Sequence, residues 1–381
     1  MILYMTLWII NLLFVIIKKD NKIICFITYL TLGILFVSNA GLSGDAALYK
    51  WHFENKVFSG ELFEVGYTFA EKIFHACGIH TYTGFLIVLF VLGTIFLWIG
   101  LKKYNISYHY LLLITMPFIF PTYSIAIRFY LASAIMVAAI RYLNERKYWL
   151  FFIFVICAGS FHVVALFYLL FVFCGTKRMS AISLNKKFLL WLVGIFSVLN
   201  FIISILLKKN LLILALVKII TAVFIIGENK IDAYTTTNTN FGGIIFLFTY
   251  LCGMVTAIYI YRLVFDERRT TDKNNEQTIN VIKTYSKVNY NINLILSTIL
   301  PFIAMNLLFY RLLTIGHISN AIVLGMYRKQ NLSKRRRGSI QISPVNVFFI
   351  LSCLSWFIPE IIGFNDITIK GLFEASILFG K

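Results

Sequence analysis

Residues 111–140 read LLLITMPFIFPTYSIAIRFYLASAIMVAAI, a tract whose one formal charge is Arg128. From Asn105 to Ile140 there is no Asp, Glu, Lys or second Arg. Apolar runs of this length read as membrane-crossing helices. Pro117 and Pro121 break the stretch before the arginine, and the tract divides into spans near 108–126 and 128–143. A central guanidinium in hydrocarbon costs about 3 kcal/mol or more. It is tolerated where its stem snorkels to the membrane boundary or where it faces a wet cavity. Both positions suit a site that holds something negative.

The pattern recurs along the chain. Apolar runs bounded by charge or turn residues fall near 2–17, 23–41, 82–101, 108–126, 128–143, 148–160, 162–175, 188–207, 242–262, 290–309, 312–327 and 345–362. The composition agrees, with 60% hydrophobic residues, 13% charged and a mean hydropathy of +0.83. Soluble domains carry about 25% charged residues. The runs do not alternate polar and apolar residues, as strands of a barrel would. The sequence predicts an all-α polytopic membrane protein, one domain of about twelve spans over residues 1–381. Met1 to Ile17 has neither a positive n-region nor a small-residue cleavage site and reads as a retained span.

The net charge of +19 invites a nucleic-acid partner, but its distribution excludes one. Basic clusters lie between spans, at Lys18-Lys19, Lys102-Lys103, Arg146-Lys147, Lys177-Arg178, Lys186-Lys187, Arg268-Arg269 and Lys334-Arg335-Arg336-Arg337. That is the positive-inside pattern of cytoplasmic loops, and the Arg-rich run suits anionic lipid. Lys208-Lys209 is the exception. The loops expected outside are 42–81, 208–241 with an interfacial helix over 211–226, and the tail 363–381. Those expected inside include a flexible loop over 266–288 and a basic one over 328–344. The six cysteines show no CxxC or Cys/His spacing, so no metal site is expected.

In this topology Arg128, His162 and Arg311 share one membrane depth at the outer face, although they are far apart in sequence. Arginine grips phosphate oxygens through its planar fork and keeps its charge. Each residue also has a plainer reading, as a snorkelling arginine or as a structural histidine bonded to a carbonyl. The first outer loop gathers Asp45, Glu54, Glu61, Glu64 and Glu71, carboxylates suited to proton transfer or to a solvated face. In Glu64-Val65-Gly66-Tyr67 the glycine permits close approach and the aromatic suits a sugar ring or the interfacial belt. No P-loop, dinucleotide turn or serine elbow occurs.

Asp45 with Tyr49, then Glu64-Val65-Gly66-Tyr67, Ile127-Arg128 leading into Leu131-Ala132, and Phe161-His162 with Ala165-Leu166 resemble, in that order, the EpsG family of Wzy-like proteins from exopolysaccharide and O-antigen clusters. The likeness is best over residues 40 to 175. Phe129 replaces a common glutamine, and Val164 a common serine. The resemblance implies a GT-C-like glycosyltransferase of the bacterial inner (cytoplasmic) membrane. Such an enzyme polymerises undecaprenyl-diphosphate-linked oligosaccharide repeat units at the extracytoplasmic face, with membrane lipid around it and a chain-length regulator as partner. Expected roles are Arg128 and Arg311 on the diphosphate, one of His162, Asp45 or Glu64 as base, and Tyr49 and Tyr67 on the substrate. No cofactor and no metal are expected. A lipid-linked oligosaccharide flippase, an O-antigen ligase or acyltransferase, and a scaffold remain as rivals.

Overall fold

A computed structural model describes residues 2–17, 19–38, 44–56, 63–175, 186–206, 242–266, 276–305, 309–331 and 344–358. Among these every regular element is helical. In chain order they are α1 (Ile2–Ile17), α2 (Lys22–Ser38), α3 (Gly44–Glu54), α4 (Val65–Ala76), α5 (Tyr82–Leu101), α6 (Tyr108–Ile114), a π-helical turn (Thr115–Ile119), α7 (Phe120–Ile125), α8 (Ile127–Asn144) and α9 (Tyr148–Phe161). A 3-10 helix (Val163–Gly175) follows, then α10 (Lys186–Leu206), α11 (Gly242–Asp266), α12 (Glu276–Leu296), a 3-10 turn (Ser297–Ile299), α13 (Leu300–Met305), α14 (Tyr310–Asn331) and α15 (Pro344–Ser355).

The stripes that these helices leave exposed are apolar. α5 shows Ile87, Val91, Ile95 and Trp98, spaced one helical turn apart, and buries Phe85, Leu89 and Gly93 on the opposite side. α9 shows Trp149, Ile153 and Ile156, and α10 shows Trp191, Ile195 and Val198. Water would penalise such continuous apolar surface, whereas lipid solvates it. Tyr82–Leu101 and Gly243–Phe265 are each long and apolar enough to cross a membrane. This is the surface of a membrane protein.

α8 is enclosed instead, buried along nearly its whole length. Its small residues Ala132, Ser133, Ala134, Ala138 and Ala139 let α5 and α9 pack closely against it. At Gly100 of α5 an added Cβ would meet the Val137 carbonyl oxygen at 2.9 Å, so the two backbones nearly touch. Amides join a second group of helices. Asn289 donates to Asn320 Oδ1 at 2.8 Å, Asn320 donates to the Gly253 carbonyl at 2.9 Å, and Asn291 donates to the Cys174 carbonyl at 2.9 Å. His317 Nδ1 meets Ser352 Oγ at 2.8 Å. Interhelical bonds of this kind in an apolar interior contribute about 0.6–2 kcal/mol each.

The two ends of the bundle differ in charge pattern. Where α8 finishes, Glu145 receives Lys103 (2.9 Å), Arg141 (3.0 Å) and Lys147 (2.8 Å). Burial opposes its ionisation, but hydrogen bonds from Lys147, Lys103 and Arg141 outweigh that and pull the carboxyl down to about 2. Asp20 similarly holds Ser107 and, at the finish of α14, Lys329. Arg128 and Arg311 stand at the opposite ends of those two helices.

Some elements depart from the sequence expectation. Residues 42–81, expected as a loop, carry α3 and α4. α12 begins at Glu276, inside the stretch read as the flexible loop 266–288, because Ile279, Ile282, Tyr285 and Ser286 supply a face that the bundle can pack. The span read near 162–175 is 3-10 rather than α. The proposed interfacial helix, most of 328–344 and the tail 363–381 lie outside the described residues.

α3 and α4 are locked together by a buried pair, His52 Nδ1 to Glu71 Oε2 at 2.8 Å. Phe53 of α3 stacks on Phe85 of α5 at 4.4 Å, and its carbonyl meets His75 Nε2 of α4 at 2.8 Å. Burial raises the Glu71 carboxyl to about 8, against the smaller opposing effects of a Tyr67 hydrogen bond and Arg128. A carboxyl whose folded value exceeds its ordinary value near 4.5 stabilises fully below that value, and the contribution is lost as pH climbs towards about 8. The melting temperature of the purified protein should therefore fall from about pH 5 to about pH 8 and level off above that, and Glu71→Gln should flatten the slope. In the core, Gly100→Val should cost about 1–3 kcal/mol through overpacking, read as a lower melting temperature and lower membrane abundance.

Candidate functional site

Four helix starts meet at the end of the bundle opposite Glu145. α7 stops because Ala126 leaves helical geometry, with φ −94° and ψ 65°, and α8 restarts at Ile127. Arg128 thus lies in the first turn of α8. α9 stops at Phe161, His162 is extended (φ −152°, ψ 110°), and the 3-10 helix begins at Val163. α14 begins at Tyr310, which places Arg311 in its first turn. Glu64 caps α4, where a Cβ on Gly66 would fall 2.8 Å from the Ser160 carbonyl oxygen. Only glycine lets that turn settle on α9, and the settling carries Glu64 to the neighbouring helix starts.

Arg128 is not alone there. Its Nη1 donates to Glu64 Oε2, and its Nε donates to the Tyr49 hydroxyl at 3.1 Å. The guanidinium lies 4.6 Å from the Phe63 ring centre, 5.1 Å from that of Tyr49 and 5.9 Å from that of Tyr67. Each such cation–π contact is worth about 0.5–2 kcal/mol. The other oxygen of Glu64 accepts the Val163 backbone N–H at 3.4 Å. One carboxylate therefore bridges the arginine and the start of the 3-10 helix.

Arg311 is held differently. It is 6% exposed, and among the described residues its Nε has no hydrogen-bond acceptor. Among the described residues its nearest carboxylate oxygen, Asp45 Oδ2, lies 3.9 Å away on a residue that is half exposed. Asp45 and Tyr49 stand one turn apart on α3, so the Tyr49 hydroxyl feels Arg128, Asp45 and Arg311 together. Burial pushes the Tyr49 and Tyr67 phenols above their ordinary value, which keeps both neutral. His162 packs edge-on against Phe129 at 5.2 Å.

The structure thus brings Asp45, Tyr49, Glu64, Tyr67, Arg128, His162 and Arg311 to one end of the bundle. Tyr49 and Tyr67 have their rings buried against the guanidinium. In this arrangement both rings help cage Arg128. Glu61 and the hydroxyl-rich run 234–240 lie outside the described residues. Sequence reasoning missed Phe63 and His52. The available signal was the arginine itself, because a buried cation calls for a counter-charge and aromatic faces from another segment. Among the described residues no group of three His, Cys, Asp or Glu side chains converges. The charges that converge from separate helices are guanidiniums, each answered by one carboxylate.

No curated protein and no solved structure matches the sequence. The EpsG family model matches residues 4–370, from α1 past the end of α15. With its membrane-type surface, its central arginine helix and a family match over nearly its whole length, the chain belongs to the EpsG family.

Proposed function

We propose that the protein is a polysaccharide polymerase that joins undecaprenyl-diphosphate-linked oligosaccharide repeat units. It works as a GT-C-like glycosyltransferase with about twelve spans, at the extracytoplasmic face of the bacterial inner membrane. Membership of the EpsG family supports a polysaccharide-polymerase type of activity. The observation that carries the finer reading is that Arg128 and Arg311, from separate bundle helices, each face a carboxylate of the α3–α4 segment, Glu64 and Asp45. Two guanidiniums at one end of the bundle suit a diphosphate better than a single charge.

In the reaction, the acceptor hydroxyl oxygen attacks the anomeric carbon of the donor glycan. The bond from that carbon to the diphosphate oxygen breaks, and its electron pair leaves with the diphosphate. The hydroxyl proton passes to a base, for which His162, Asp45 and Glu64 are the neighbouring groups. The barrier is dominated by charge gathering on the leaving oxygens, and preorganised guanidiniums answer that charge without reorganising. No metal is needed in this scheme. The carrier lipid enters sideways from the bilayer, and a chain-length regulator is the expected protein partner. The basic clusters, read as cytoplasmic, support an extracytoplasmic position for this end.

Arg128→Ala should reduce polymerisation about 10²- to 10³-fold, the typical cost of losing one charge-stabilising donor. Arg128→Lys should recover only part of it, because the charge stays and the planar fork is lost. Glycan length on gels, at matched membrane levels of each variant, reads the outcome. Long chains from Arg128→Ala would exclude the clamp.

A further inference from the structure

We infer that Glu64 is a stand-in anion, occupying in the unliganded protein the seat that a diphosphate takes in the loaded one. The inference rests on the diphosphate reading above and adds how that seat is opened. Three observations support it. The Glu64 carboxylate makes the bonds that a phosphate oxygen pair would make, one to the Arg128 fork and one to the backbone N–H that opens the 3-10 helix. Phosphate and carboxylate compete for both kinds of donor. Arg311, nine-tenths buried on the adjacent helix, interacts with the neighbouring Tyr310 hydroxyl, but among the described residues its Nε has no acceptor and no carboxylate is nearer than 3.9 Å. A buried guanidinium this loosely answered marks a position where further negative charge is accommodated. Finally, both carboxylates ride on α3 and α4 and their junction, whereas both arginines ride on helices of the bundle.

The diphosphate of a lipid-linked glycan, esterified at both ends, carries two negative charges against the one of a carboxylate, and the lipid diphosphate that leaves after transfer carries more. The diphosphate would take Arg128 from Glu64 and Arg311 from Asp45. Glu64 leaves the seat as the ligand fills it, so the cage around Arg128 never holds an unanswered cation. The shared chemistry is the diphosphate headgroup, whether it comes on a lipid or free.

The full-length protein in lipid nanodiscs is titrated with farnesyl diphosphate and separately with inorganic pyrophosphate, with binding followed by intrinsic fluorescence. Glu64→Gln keeps the shape and removes the competing charge. If the closed pair holds about nine molecules in ten, this substitution tightens binding about tenfold. Arg128→Gln abolishes binding. Tightening for farnesyl diphosphate alone assigns the seat to a lipid headgroup, and tightening for pyrophosphate as well assigns it to the headgroup charge; both support the exchange. Unchanged or weaker binding by Glu64→Gln, with Arg128→Gln still dead, overturns the exchange and leaves the clamp standing. No binding by the wild type or Glu64→Gln overturns both. Should Glu64→Gln fail to fold, Asp45→Asn decides: it tightens binding about two- to threefold by removing the looser competitor, and an unchanged affinity overturns the exchange.

Discussion

A guanidinium removed from water must be answered locally, and this requirement at Arg128 organises the end of the bundle around it. The answer is composite. Glu64 supplies the charge, Tyr49 an acceptor, and Phe63, Tyr49 and Tyr67 supply ring faces. None of these lies on the arginine's own helix. α3, α4 and the turn between them must therefore fold back onto the bundle for α8 to hold its charge. Removing one partner of a buried pair costs about 3–5 kcal/mol, which is comparable with the margin by which many proteins are folded. The segment first read as a loop is consequently a structural part of the site.

The ends of the molecule use charge in opposite ways. At the Glu145 end three cations surround one carboxylate, and that carboxylate is held ionised. Lys103 and Lys147 there are more than half exposed, so their pairs contribute little individually. At the other end Arg128 and Arg311 are largely buried, and among the described residues each faces one carboxylate. Burial makes each of them sensitive to what sits beside it. A new anion arriving among surplus lysines changes little, whereas one arriving between Arg128 and Arg311 must rearrange existing pairs.

Much of the bundle was legible because hydrophobic runs bounded by charge mark membrane helices. The break at Ala126 and the split around His162 fell where small residues and prolines indicated. Convergence of Arg128, His162 and Arg311 was legible through alternation of loop charge alone. The helices α3 and α4 were not, since Gly44–Glu54 has a weak apolar pattern and its face is filled by aromatic and histidine contacts. The start of α12 at Glu276 was hidden for a related reason. Its first turns, from Glu276 to Lys287, look like linker composition, yet Ile282, Tyr285 and Ser286 among them are buried against the bundle. Pairings between distant segments are invisible to periodicity. Tyr49 and Tyr67 illustrate the same point, because nothing in the spacing of either aromatic shows that its ring lies against the guanidinium of a distant helix.

The unequal treatment of the two arginines bears on how such a site could work on a charged leaving group. Arg128 is caged by three rings and a carboxylate, so its fork is fixed in direction before any ligand arrives. A fixed dipole lowers the energy of developing charge without being reorganised by it. Arg311 is fixed by burial but is loosely countered, so part of its field remains available across the gap to Tyr49. One cation supplies direction and the other residual field. Two tightly countered arginines would present almost no net potential to a ligand, and two uncountered ones would not remain buried. The arrangement lies between these limits, and the carboxylates that hold it there come from α3 and the start of α4, the segments laid over the bundle's end.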